Sequence, residues 1–167
     1  MINLYKYFYR SIVKMKKDIV LQQLRVAKAA HINWVQKAKL LIEGIDIDKS
    51  AIPVNSTECR FGKWFYSEAQ KLNGLRNNSL ECMENIELYH ANLHDAYLKI
   101  FKLYYLVENR GFFSKLFTGK KKLTEENRKL GRDYFIELDS ISKELLLEIS
   151  RLERRVIAIG DEEISKL

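Results

Sequence analysis

"LDSISKELLLEISRLERRVIAI", residues 138–159, decides the fold class. Leu138, Ile141, Leu145, Ile149, Leu152, Val156 and Ile159 recur at intervals of 3, 4, 4, 3, 4 and 3 residues, and most of the positions between them are charged or polar. A strand alternates every second residue, whereas intervals of three and four stack apolar side chains on one face of a helix. With no Gly or Pro inside it, the stretch predicts a single helix over 124–159 with a bundle or coiled-coil seam of mixed period.

The same spacing recurs upstream. Ile12, Met15, Ile19, Leu24, Ala27, His31, Trp34, Ala38 and Leu41 predict one long helix or two consecutive ones over 1–43. Leu80, Met83, Ile86, His90, Leu93, Tyr97, Ile100 and Tyr104 predict another over 79–109. Gly44 reads as a helix stop and Pro53 as a loop residue. Ser56 or Thr57 reads as the N-cap of a shorter helix reaching residue 72, and "NGLRNN" as the next breaker. One proline and seven glycines leave few turns for a sandwich or barrel.

The fold expected is therefore all-α: an antiparallel helical bundle, a four-helix-type core with a short extra helix, plus a long C-terminal amphipathic helix. Four segments follow: a basic helical extension at 1–19, a bundle at 20–110, a basic and aromatic connector at 111–123, and the C-terminal helix at 124–167. The 167 residues suit one domain with helical extensions.

Charge is segregated. Residues 1–28 hold seven basic and one acidic side chain, 29–110 ten of each, 114–132 seven and two, and 133–167 five and nine. The centre is neutral, so it is not expected to bind nucleic acid. No apolar run is long enough to cross a membrane, since Lys99 and Lys102 interrupt "YLKIFKLYYLV". The first residues lack an apolar core followed by a small-residue cleavage site, so a cytoplasmic protein is expected. In such a reducing compartment Cys59 and Cys82 are more often free or metal-bound than bridged.

All three histidines fall in the neutral centre. His90 and His94, four apart, project from one side of a helix, a ready two-point clamp for a metal. His31 sits on the apolar stripe of the first helix, and Cys59 stands in the first turn of a helix, where free N–H groups favour the thiolate that binds metals. Taken singly, an apolar-face His is more often a satisfied core residue and a lone Cys a small hydrophobe. Cys82 is read as core. Spacing alone leaves the metal and core readings open.

"HINW" (31–34), "CRFGKW" (59–64) and "YHANLH" (89–94) together resemble the chemoreceptor zinc-binding domain family. The family pattern is a His followed three residues later by an aromatic, then Cys-x-x-Gly-x-Trp, then His-x-x-x-His, and the match spans roughly residues 20–110. The resemblance implies a helical bundle holding one Zn2+ through His31, Cys59, His90 and His94. Physically, Gly62 is expected to let the backbone approach a neighbouring helix where a side chain would not fit, and Trp34 and Trp64 to pack around the site and keep it dry, with ordinary core packing explaining both Trp at least as well.

Members of that family are cytoplasmic sensory modules, often homodimers, commonly appended to chemoreceptors or to diguanylate cyclases, in which zinc occupancy or oxidation of the ligand Cys alters output. The resemblance implies a zinc-binding sensory protein with a redox-sensitive Cys59. These 167 residues carry no signalling tip or catalytic domain, so the output is expected to pass to a signalling partner or stay within a homodimer, or else to be absent. Two other classes compete. A zinc hydrolase fails because "HANLH" lacks the Glu of H-E-x-x-H. A membrane-surface or acidic-partner module would use residues 1–20 and "FFSKLFTGKKK" (112–122), leaving zinc purely structural. The plainer reading of that stretch has its Phe and Leu capping the bundle and its lysines solvated.

Overall fold

A computed structural model describes residues 16–76, 79–106 and 124–167. Three helices are long: α1 (Lys17–Ile42), α3 (Ser79–Phe101) and α4 (Glu125–Ala158). Two are short, α2 (Arg60–Phe65) and α5 (Asp161–Ile164); a 3-10 helix covers Glu68–Gly74, and a π turn, Lys102–Leu106, prolongs α3. All regular structure among the described residues is helical, as the spacing predicts. The first fifteen residues of the basic extension, the end of the expected 79–109 helix and the whole connector at 111–123 lie outside the described residues, and with them most of the aromatic and basic stretches read as a membrane-surface anchor.

The long helices share a seven-residue repeat. α1 buries Val20, Ala27, Trp34 and Leu41 in one row and Leu24, His31 and Ala38 in the other. α3 buries Met83, His90, Tyr97 and Tyr104, with its π turn, beside Ile86, Leu93 and Ile100. α4 buries Leu138, Leu145, Leu152 and Ile159 beside Ser142, Ile149 and Val156. Two rows of this period form the seam along which helices pack with a small left-handed twist. The repeat corrects two expected stripe positions. Ile19 is 48% exposed and Val20 takes its place, one step back in the 4-3-4-3 series. Ile141 is only half-buried, flanking the seam at which the small Ser142 sits.

Side-chain pairs fix the directions of the helices. Lys17 reaches the Ile157 and Ile159 carbonyls, Arg25 and Lys28 reach Glu153, Arg151 meets Glu81, and Lys99 meets Glu137. α4 thus runs antiparallel to both α1 and α3. The contacts of His31 with His90 and of Trp34 with His94 and Tyr97 show α1 and α3 running the same way, because the segment 43–76 returns toward the end where α1 began. That returning segment, with α2 and the 3-10 helix, packs on α3, and Phe61 of α2 also reaches α1 at His31.

Helix ends follow local chemistry. Gly44 has φ +92°, Gly44 N–H donates to the Leu41 carbonyl, and Ile45 N–H donates to the Leu40 carbonyl, so α1 stops where the sequence predicts. Thr124 Oγ1 accepts the Asn127 N–H, and Glu125 and Glu126 stand in the first turn of α4 where the helix dipole favours them. The short helix differs from expectation. Its N-cap is Cys59 itself, not Ser56 or Thr57, and α-helical geometry ends at Phe65. The Asn55 side chain accepts the Thr57 N–H and hydroxyl, and its carbonyl accepts the Glu58 and Cys59 N–H groups; this turn holds 55–58 out of the helix.

Candidate metal centre

The cap that starts α2 also aims its sulfur. As N-cap, Cys59 has extended backbone (φ −65°, ψ 154°), and its Sγ accepts the Gly62 N–H at 3.1 Å. The Cys59 thiol donates to the Ser56 carbonyl at 3.4 Å, and Sγ lies 3.3 Å from His90 Nε2. This arrangement requires glycine at 62, where a Cβ would stand 1.8 Å from the Ser56 carbonyl oxygen and 2.9 Å from its carbon. The close approach that Gly62 permits is therefore to the turn preceding its own helix, not to a neighbouring helix. The tight return from Ser56 to Gly62 places both groups on one sulfur.

His90 and His94 project from successive turns of α3, and their ring centroids are 4.8 Å apart. His94 Nδ1–H donates to the Val54 carbonyl at 3.0 Å, which puts its lone pair on Nε2. His31 is oriented in the same manner, its Nδ1–H donating to the Ala27 carbonyl one turn back at 2.7 Å. One donor atom each from Cys59, His90 and His94 lies within 4.8 Å of the others. His31 borders this cluster, its ring 5.3 Å from that of His90.

Burial sets the protonation of these groups. His31 is pushed down to about 4 chiefly by burial, which outweighs the Ala27 carbonyl, with nearby His94 adding to the fall. His90 falls to about 3, through burial and then through His31 and His94. Burial also lowers His94, against the pull of the Val54 and Pro53 carbonyls. At neutral pH all three imidazoles are uncharged and carry a lone pair. The Cys59 thiol departs from what a helix start implies: burial raises it, and the amides of Gly62 and Phe61 and the charge of Lys63 only partly compensate. A thiolate there needs a further positive charge close by.

The donor set fits a zinc ion. Tetrahedral zinc with Zn–S near 2.3 Å and Zn–N near 2.0 Å separates sulfur from nitrogen by about 3.5 Å, against the 3.3 Å between Cys59 and His90. His90 Nδ1 and His94 Nε2 are buried with no hydrogen-bond partner. A buried unsatisfied group costs roughly 1–3 kcal/mol; coordination through Nε2 would relieve His94, whereas His90 meets the sulfur with its Nε2 and keeps Nδ1 unpaired. A soft thiolate with imidazoles selects zinc-like ions over magnesium or calcium.

Aromatic rings enclose the cluster. Trp34 lies 4.5 Å from His94 and 5.8 Å from His31, centroid to centroid. Phe61 presents its ring 5.4 Å from His31 and 5.0 Å from His90. Trp64 stands behind Phe61 at 6.0 Å and touches none of the three histidines in the described contacts. Cys82 is fully buried in α3, as expected of a core residue. Sequence reasoning missed Phe61 and the Ala27 and Val54 carbonyls. Phe61 carried a signal, an aromatic two residues after the cap; backbone carbonyls carry none.

The molecule thus belongs to the class of all-α bundles with a buried thiol and imidazole cluster between their helices. Residues 31–101 match the model of the chemoreceptor zinc-binding domain, which places that stretch in the family. Neither the curated proteins nor the solved structures compared with the chain match it.

Proposed function

We propose that this protein is a zinc-binding sensory or regulatory protein that holds one Zn2+ through His31, Cys59, His90 and His94. The observation that carries the reading is the convergence of Cys59, His90 and His94 in a buried pocket inside the segment matched by the zinc-binding family. His31 is assigned as fourth ligand because its Nδ1 is committed to Ala27, which leaves the Nε2 lone pair free on a ring centred 5.3 Å from that of His90. A bound zinc supplies the charge that holds Cys59 as thiolate and joins three separate parts of the chain.

The chain's own groups do the rest. The Ala27 and Val54 carbonyls fix the tautomers of His31 and His94, the Gly62 N–H stabilises negative charge on Cys59, and Trp34 and Phe61 exclude water. Four protein ligands leave no open position for a substrate water, and no Glu stands in the H-E-x-x-H position, so the role is binding rather than catalysis. Loss of the ion would loosen α1, α2 and α3 from one another. A peroxide would act at the same link: Cys59 sulfur attacks one peroxide oxygen, the S–O bond forms as the O–O bond breaks, and the leaving oxygen departs with a proton as water or alcohol. The resulting sulfenic acid is a poorer ligand.

The reading places the protein in the cytoplasm, as a homodimer that signals to a chemoreceptor or cyclic di-GMP partner. No helix among the described residues is long and apolar enough to cross a membrane. Metal analysis of purified protein tests the central claim. About one zinc per chain is expected, lost in Cys59→Ala and in His94→Ala. Less than about half an equivalent in the wild type, unchanged by Cys59→Ala, would overturn it.

A further inference from the structure

The segment between α1 and α2 touches α3 at points that run in order along its length. The Ile42 carbonyl, at the end of α1, accepts the Tyr104 hydroxyl at 3.2 Å, and the Ile47 carbonyl accepts the Tyr105 hydroxyl at 2.7 Å. The Lys49 ammonium stands 5.3 Å from the centroid of Phe101. Ile52 is buried in the core, the Val54 carbonyl holds His94 Nδ1, and the Ser56 carbonyl accepts from Cys59. Residues 47 to 56 thus form a strap laid antiparallel on α3, anchored at one end on Tyr105 and at the other on the candidate metal ligands.

A turn stiffens the strap from within: the Ala51 N–H donates to the Asp48 carbonyl at 2.9 Å, and the Asp48 carboxylate accepts the Ser50 N–H at 2.7 Å. With that turn closed and Ile52 buried in the core, Val54 and Ile47 are joined by a hydrogen-bonded stretch of chain. The tyrosine end is itself unusual: Lys102–Leu106 is a π turn, a rare insertion in an α-helix that is frequent at functional sites. Its two consecutive tyrosines donate to the end of α1 and to the start of the strap, and Gly131 of α4 lets Tyr104 through, since a Cβ there would stand 2.8 Å from its hydroxyl.

We propose that the strap 47–56 couples the metal centre to the π turn. With His31, Cys59, His90 and His94 engaged, the His94 Nδ1–H holds the Val54 carbonyl and the strap presents Ile47 to Tyr105; when they are released, Tyr105 loses its acceptor and the turn relaxes. The inference rests on the zinc-binding reading and adds a route by which the site changes the chain where α3 ends.

Amide hydrogen exchange on the full chain, zinc-loaded and after chelation, tests it. Residues 102–106 are expected to lose about fivefold or more protection beyond any loss at 145–152 in the middle of α4. Tyr105→Phe is expected to keep one zinc and its helical circular dichroism, to show the zinc-free exchange pattern at 102–106 while loaded, and by reciprocity to bind zinc about fivefold more weakly. Equal changes at 102–106 and 145–152 in the wild type, or unchanged zinc affinity in Tyr105→Phe, would overturn the coupling while leaving zinc binding intact. A wild-type protein without zinc would overturn both, and metal analysis separates the two failures.

Discussion

At the scale of single residues the site depends on small groups as much as on its ligands. Gly62 is the clearest case, because nothing larger fits against the Ser56 carbonyl and its own N–H is needed on Cys59. Gly62→Ala must push apart two pieces of backbone and is expected to cost about 3 kcal/mol, with zinc content falling alongside. Urea unfolding together with metal analysis checks this, and a stable, zinc-replete variant would refute the packing argument. His31 and His90 show why identity alone is not role. Both occupy seven-residue seam positions that would otherwise hold Leu or Ile, so the periodicity that marks them as core also brings them together. The motif residues were legible in the sequence; which ring nitrogen is committed to a carbonyl was not, because Ala27 and Val54 act through backbone atoms that every residue possesses.

At the scale of elements, α4 is tied to α1 and α3 by polar contacts as well as by its apolar rows. Glu153 is nearly buried and accepts from Lys28 and Arg25, with the Lys28 bond as the main reason its carboxyl lies below the ordinary 4.5. A lowered carboxyl stabilises the fold fully above about pH 4.5, and that stability is lost as the pH falls through its folded value. Glu153→Gln is expected to cost about 1–2 kcal/mol at pH 7, discounted for the exposure of Arg25. The gap between wild type and variant should close in the acid range, and thermal melts from pH 7 to pH 3 measure it.

The crossing of α3 and α4 at Gly131 makes a second prediction. Alanine is a better helix former by roughly 1 kcal/mol, yet its Cβ would collide with the Tyr104 ring, whose hydroxyl is held at Ile42. Gly131→Ala should therefore destabilise the wild type by about 1–2 kcal/mol and stabilise a Tyr104→Ala background by roughly 1 kcal/mol. A double-mutant cycle in denaturant reports both signs, and stabilisation in both backgrounds would show that the ring yields freely. Neither partner of this crossing announces itself in the sequence, since a glycine inside a long helix and a tyrosine far from it share no local pattern. The expected N-cap at Ser56 or Thr57 failed for a related reason: the Asn55 turn and the Gly62 contact moved the helix start onto Cys59.

At the scale of the whole molecule, zinc would join α1, α2 and α3, while α4 closes the bundle from the other side. Binding energy at such a site adds to folding energy. At free zinc a thousandfold above its dissociation constant the gain is about 4 kcal/mol, or on the order of 10 °C in melting temperature for a chain of this length. Melting with and without a chelator checks this, and an unchanged melting temperature would count against a structural contribution of the metal.

Spacing and chemistry within a few neighbours were enough for the long helices, the stop at Gly44 and the start of α4 at Thr124, whereas the four residues proposed as ligands were legible only through the motifs they share with the zinc-binding family. The same sequence also makes the centre neutral and the flanks basic. Long-range packing set the rest: α1 and α3 run parallel, Phe61 rather than Trp64 packs on the histidines, Gly62 serves a turn in its own chain, and residues 47–56 lie strapped along α3. Those features depend on contacts between residues far apart in sequence and on backbone groups that carry no residue signature, so no local pattern could encode them.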